Sequence, residues 1–249
     1  MEAVHFLCYY TTIMNKLIFL DTETTGNDVT KDRLCQVCYM PAGDTIHTEF
    51  FKPPIPISVE SMSITHITNK MVADKPPFAG SAMAGALKAL LRDGILVAHN
   101  ALFDKAILEA EGLSVPQFIC TLRVARALDP DGVIPQYKLQ FLRYYLDLDV
   151  DAHAHDAEGD VKVLVAVFDR LSAKIKQGGA SDDEAIAKML HISTTPMLFK
   201  KFTFGKHIGK DIAEVAKTDR GYLQWLLGQK MAEGVQDEDW LHTLNTYLQ

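Results

Sequence analysis

The chain has 249 residues, nearly half of them apolar, which is enough to bury one large domain or one medium and one small domain. Its formal net charge of −7 excludes a general, histone-like DNA binder, whose affinity comes from neutralised phosphates. It does not exclude a nuclease, because a metal site itself concentrates carboxylates, and no apolar run approaches the length of a membrane span.

Residues 1–15, MEAVHFLCYYTTIMN, carry acidic Glu2 where a signal peptide has a basic region and lack a small-residue cleavage site. They read as an N-terminal extension, with Met14 as an alternative start. Residues 16–21 are apolar, partly β-branched, and run into the polar DTETTG, the pattern of a buried opening strand. Residues 33–40 and 45–51 read as two more strands joined at Ala42-Gly43-Asp44, making an antiparallel meander. Cys35 and Cys38 spell C-x-x-C, but residues three apart on a strand face opposite ways and cannot share a zinc ion. Buried, reduced thiols in a cytoplasmic protein are the expectation.

The prolines and polar residues of 51–78 predict a long surface loop, and loops of that length in compact domains usually serve function. A helix over 80–91, a strand at 95–100, and a helix over 101–111 ended by Gly112 follow. Further helices are predicted over 121–128, 138–146 and 157–176. A meander followed by alternating helices and strands predicts an α/β domain with a mixed sheet. Gly178-Gly179 breaks the pattern, and Ser181-Asp182-Asp183-Glu184 is a capping box that opens a helix to about His191. Beyond Pro196, FKKFTFGKHIGKDI predicts a hairpin, with helices after it near 212–216, 222–230 and 239–248. The expected organisation is an extension 1–15, a domain 16–177, a linker and helix 178–195, and a small α+β domain 196–249.

Three short motifs concentrate the chemistry: Asp21 and Glu23 in LDTETTG, Asp104 in HNALFD, and His155 with Asp160 in HDAEGD. Asp21 and Glu23 stand at i and i+2 of a strand, so both carboxylates leave one face of the sheet. Asp104 lies in the first turn of a helix, where it reaches the same cleft or complements the helix dipole. Asp160 lies inside the long helix, which fixes it as a ligand, while His155 stands just before that helix; His153 has equal claim on composition. Four carboxylates suit two hard divalent ions clamping the attacking and leaving oxygens of a phosphodiester, and an imidazole titrating near neutrality suits removal of a proton from the attacking water.

In this order the motifs resemble those of the DEDD superfamily of 3′→5′ exonucleases, in its DEDDh branch. The resemblance implies an RNase H-like fold and two Mg²⁺ ions, with Mn²⁺ as a substitute. It implies that Asp21 bridges both ions, that Glu23 and Asp160 complete the site on the nucleophile's side, and that Asp104 holds the second ion. The branch places its histidine five residues before the last aspartate, which selects His155 as the base over His153. It also implies that Thr22, Thr24 and Thr25 line the seat of the terminal nucleotide and that His99, Asn100 and Phe103 support it. Gln36 stands where the family's second strand often carries a glutamate.

FTFGKHIGKDIAEVAKTDRGYLQWLL resembles the C-terminal extension of a group of DNA exonucleases within that branch, so the implied substrate is DNA with a free 3′ end and the product a nucleoside 5′-monophosphate. An exoribonuclease of the same superfamily is the alternative enzyme, and a non-hydrolytic nucleic-acid or replisome-binding module the alternative of another class. Residues 196–230 carry seven Lys/Arg against three Asp/Glu, so the tail is a candidate for DNA contact or for a protein partner. FGKHIGK is not a phosphate loop: Gly205 and Gly209 are too close, and Asp211 follows Lys210. TTPMLF has a faint likeness to clamp-docking peptides; Met197, Leu198 and Phe199 read rather as core of the small domain.

Overall fold

The computed structural model describes residues 16–152, 157–232 and 237–249. β1 (Leu17–Thr24), β2 (Leu34–Pro41) and β3 (His47–Phe50) form the expected antiparallel meander. β4 (Ile95–Ala98) lies parallel to β1, and β5 (Phe118–Cys120) parallel to β4, giving a five-stranded sheet in the order β3-β2-β1-β4-β5. β1 runs on through the DTET segment, so Asp21 and Glu23 stand inside a strand.

The segment expected as a bare loop holds two short helices, α1 (Val59–Thr65) and α2 (Asn69–Val72), capped by Ser58 and Thr68. Ile57, Ile67 and Val72 bury a small cluster with Cys35, which is what makes this stretch an ordered element. α3 (Ala82–Asp93), α4 (Ala101–Ala110), α5 (Thr121–Ala127), α6 (Leu139–Tyr145), α7 (Ala157–Lys176) and α8 (Asp182–Thr194) then follow. The Ser181–Glu184 capping box is formed, and α8 runs three residues past its expected end.

Strand alternation divides β1 between two cores. Leu17 and Phe19 pack with Val161, Leu164 and Phe168 of α7 and with Ala185, Ile186 and Met189 of α8. Ile18 and Leu20 pack on the other face with Leu87 of α3 and Ile107 of α4. Cys38 lies in the first core and Cys35 on the opposite side, both buried and neither in a disulfide, so the two thiols do not face one metal ion. Burial raises the Cys35 thiol to about 12, which keeps it protonated.

Phe202, Leu223, Leu226, Trp240 and Leu244 form a separate core with α9 (Ile212–Thr218), α10 (Arg220–Ala232) and α11 (Glu238–Leu248). The expected hairpin is a turn-rich loop with one isolated bridge, Lys201 to Asp211. Its backbone closes around Phe202, and Gly205 and Gly209 take left-handed φ values of 73° and 80° at its bends. Leu198, expected in the core, is 45% exposed. Arg123 of α5 fastens this unit to the sheet domain: it is 2% exposed, its guanidinium lies 2.8 Å from Asp239 and 3.1 Å from Glu238, and it donates to the Ser193 carbonyl at 2.7 Å. No helix among the described residues is long and apolar enough to cross a membrane.

Candidate active site

The motifs meet at the end of β1 beside a cleft of about 650 Å³. On the face where Leu17 and Phe19 meet α7, ligand oxygens of Asp21, Glu23 and Asp160 lie within 4.8 Å of one another. On the opposite face Thr22 Oγ1 donates to Asp104 Oδ1 at 2.8 Å. One strand thus presents its acids to α7 and its hydroxyl to α4. Asp104 follows Asn100, which takes a left-handed φ of 69° to turn β4 into α4.

Asp21's pKa is raised well above the carboxylate range, first by burial and then by the negative charges of Asp104, Glu23 and Asp160. Burial pushes Asp104 up to about 7 against the opposing Thr22 bond. Acids held so close at a cost in mutual repulsion suit a hard divalent cation, which oxygen ligands bind and whose charge cancels theirs. The donor set therefore fits the metal expected from the sequence.

The threonines spend their hydroxyls within the protein. Thr24 donates to the Gly26 carbonyl at 2.6 Å, and Thr25 donates to Asp32 Oδ1 at 2.7 Å. Thr22, Thr24 and Phe103 line the cleft; Thr25 is buried beside it, with its hydroxyl on Asp32. His99 is a brace: Nε2 donates to the Tyr137 carbonyl at 2.7 Å, leaving Nδ1 to accept from Thr121 at 2.9 Å. Burial lowers its pKa to about 4, so the ring is neutral. His155 and His153 fall outside the described residues.

Several residues at the site were not read from the sequence. The Gln140 amide donates to the Asp160 carboxylate. Arg143 donates to the Ala152 carbonyl at 2.9 Å and to that of Val150, holding the chain just ahead of 153–156. Asp32 ties the rim by accepting from Thr25 and from Asp28 N at 2.8 Å. A Cβ on Gly26 would stand 2.5 Å from the Asp32 carboxylate and would push it off its bonds to Thr25 and Asp28. Ser61 and Ile64 of α1 also line the cleft, and Ser61 donates to the Thr24 carbonyl. Gln36 is paired in register with Glu23 and donates to Thr48 at 3.4 Å, so a glutamine keeps one more negative charge away from the cluster.

The family model described as "Exonuclease" matches residues 18–168, and one described as "Exodeoxyribonuclease X-like C-terminal" matches 202–230. The chain belongs to the exonuclease family. It is 34% identical over 217 residues to exodeoxyribonuclease 10 of Escherichia coli K12, covering 84% of this chain and 90% of that one. It is 33% identical over 171 residues to the epsilon subunit of DNA polymerase III of Treponema pallidum, covering 64% and 78%. Among solved structures it is similar to exonuclease X in complex with a 5′-overhanging duplex DNA, with a TM-score of 0.56, 26% identity, and coverage of 71% of this chain and 99% of that chain.

Proposed function

We propose that the protein is a Mg²⁺-dependent 3′→5′ exodeoxyribonuclease that releases nucleoside 5′-monophosphates, with Mn²⁺ as a substitute ion, and that it serves DNA repair or replication in the cytoplasm. The observation that carries this reading is the convergence of Asp21, Glu23 and Asp160 within 4.8 Å, with Asp104 tied to the same strand. The names of the relatives supply the choice of DNA over RNA.

Asp21, Glu23, Asp104 and Asp160 would hold two divalent ions, which would supply charge stabilisation for the phosphoryl group and its leaving oxygen. Phe103, Thr22 and Thr24 form the wall against which the terminal nucleotide lies, with Asn100 and His99 fixing the turn behind them. His155 takes the proton of the attacking water, and Arg143 holds the chain that leads to it. The domain extents 16–177, 178–195 and 196–249, and a role for the tail in holding DNA or a partner protein, belong to the same proposal.

The test uses end-labelled DNA and RNA of one sequence, free or blocked at the 3′ end, with Mg²⁺, Mn²⁺ or EDTA. Mononucleotides released from free-ended DNA, faster than from RNA and only with metal, support the reading. Equal or faster RNA decay favours the exoribonuclease, and no hydrolysis with any ion favours a binding module. His155→Ala should slow the reaction by about 10²–10⁴; greater damage from His153→Ala would reassign the base.

A further inference from the structure

Outside the cleft, the C-terminal unit exposes an aromatic and basic strip that the catalytic site does not use. A ladder of rings runs from its core to its surface: Trp240 on Phe202 at 5.7 Å, Phe202 on Tyr222 at 5.7 Å, and Tyr222 on Trp225 at 5.5 Å. Trp240 is 4% exposed, whereas Trp225 at the other end is 56% exposed, an unusual placement for an indole with so much apolar surface.

His207 packs edge-on to Tyr222 at 4.8 Å and lines a concavity of about 660 Å³ together with Lys210 and Lys217. Both lysines are exposed, and Glu214 is the one acid among the lining residues. Asp219, which bonds His207, is already engaged by Lys206 at 2.8 Å and His207 at 2.9 Å. Residues 231–249 add four acids and no Lys or Arg, but Glu238 and Asp239 are turned to Arg123, and Asp237 lies 3.9 Å from Lys230. Lys210 and Lys217 therefore keep their positive charge on the segment that carries the exposed indole.

We propose that this strip binds unpaired DNA, with Lys210 and Lys217 on backbone phosphates and a base stacked on Trp225. Cationic groups beside an open aromatic face are what sequence-tolerant binding of a single strand requires, whereas in a duplex the base faces are already stacked on one another. The Arg123–Asp239 pair fixes the strip relative to the catalytic cleft, so a strand lying on both is held without a flexible tether. The inference rests on the exonuclease reading for its choice of DNA.

The full chain is titrated with a 20-nucleotide oligothymidylate in EDTA while tryptophan fluorescence is followed. Of the two tryptophans, stacking quenches the exposed Trp225 and leaves the buried Trp240 unchanged. Trp225→Ala should weaken binding by about 5- to 150-fold and abolish the quench, and Trp225→Phe should restore most of the affinity. Replacing both Lys210 and Lys217 by Gln should make the dependence of log affinity on log salt shallower by about 1.4. Absence of a quench, or unchanged affinity in Trp225→Ala, overturns the proposal and leaves the strip to a protein partner. Equal affinity for a blunt duplex overturns the single-strand assignment. Hydrolysis of the p-nitrophenyl ester of thymidine 5′-monophosphate is measured in parallel and should be unchanged in Trp225→Ala. Wild-type protein that binds oligothymidylate but hydrolyses nothing with Mg²⁺ or Mn²⁺ would sink the exonuclease reading and leave the strip standing.

Discussion

Thr22 Oγ1 donates to Asp104 Oδ1 at 2.8 Å, which ties the first acidic motif to the second across 82 positions of sequence. Thr22→Val keeps the shape but removes the donor from a buried carboxylate, at a cost of about 1–3 kcal/mol. Urea unfolding should show that loss, with slower hydrolysis at saturating DNA, and Thr22→Ser should recover both. A Thr22→Val protein with wild-type stability and rate would show that Asp104 is positioned by other groups.

The raised pKa values of Asp21 and Asp104 set a pH dependence of stability with a definite sign. Both carboxyls hold protons in the folded chain that the unfolded chain releases, so folding is favoured at low pH and loses stability as pH rises. For Asp104 the window runs from its ordinary 3.8 to about 7. In EDTA, thermal unfolding should therefore fall across that range, and Mn²⁺ at pH 8 should reverse the fall. Asp21→Asn should be more stable than wild type in EDTA at pH 8 and gain less from Mn²⁺. A melting temperature that does not respond to Mn²⁺ would speak against a metal at these carboxylates.

Gln140 and Arg143 act through other residues. Gln140→Leu removes the amide that orients Asp160, and a loss of about 10–100-fold in kcat is expected, as for other groups that orient metal ligands. KM should change little, since neither side chain lines the cleft. Arg143→Leu should act in the same direction by freeing the Val150 and Ala152 carbonyls. A defect confined to KM would place these residues in substrate binding instead.

Arg123→Ala leaves Asp239 buried without its partner and should destabilise the protein by about 3–5 kcal/mol. Limited proteolysis between 195 and 200, where the chain passes into the C-terminal unit, should accelerate. The double variant Arg123→Met, Asp239→Leu should recover much of the stability, because it removes the orphaned charge with its partner. If the single variant resists protease like the wild type, the docking depends on the Phe199 ring against Arg126 and on Lys200, which donates to the Pro130 carbonyl at 2.9 Å.

The carboxylates were legible in the sequence because strand alternation alone places Asp21 and Glu23 on one face, and β1 shows that alternation in its two cores. The helices of the sheet domain were legible for a similar reason, as with the capping box that starts α8. β5 was not: three residues, Phe118–Cys120, are too few for a period and are buried on both faces. α1 and α2 were hidden by their length, being stabilised by Ile57, Ile67 and Val72 against Cys35. The braces at Gln140, Arg143 and Asp32 gave no local pattern, since each acts by a contact that only the folded chain creates. The tail's loop misled because glycines at its bends suit a hairpin as well as a turn-rich loop closing on Phe202.

Whether the four carboxylates form one metal-dependent catalytic site is decided by single-turnover hydrolysis of 3′-end-labelled DNA with Mn²⁺ in wild type, Asp21→Asn and Asp104→Asn. Each substitution keeps size while removing one negative charge and replacing one acceptor oxygen by a donor. Wild type alone should release mononucleotides, with both variants folded and reduced to background. Near-normal rates in Asp104→Asn, or wild-type hydrolysis that survives EDTA, would contradict that assignment.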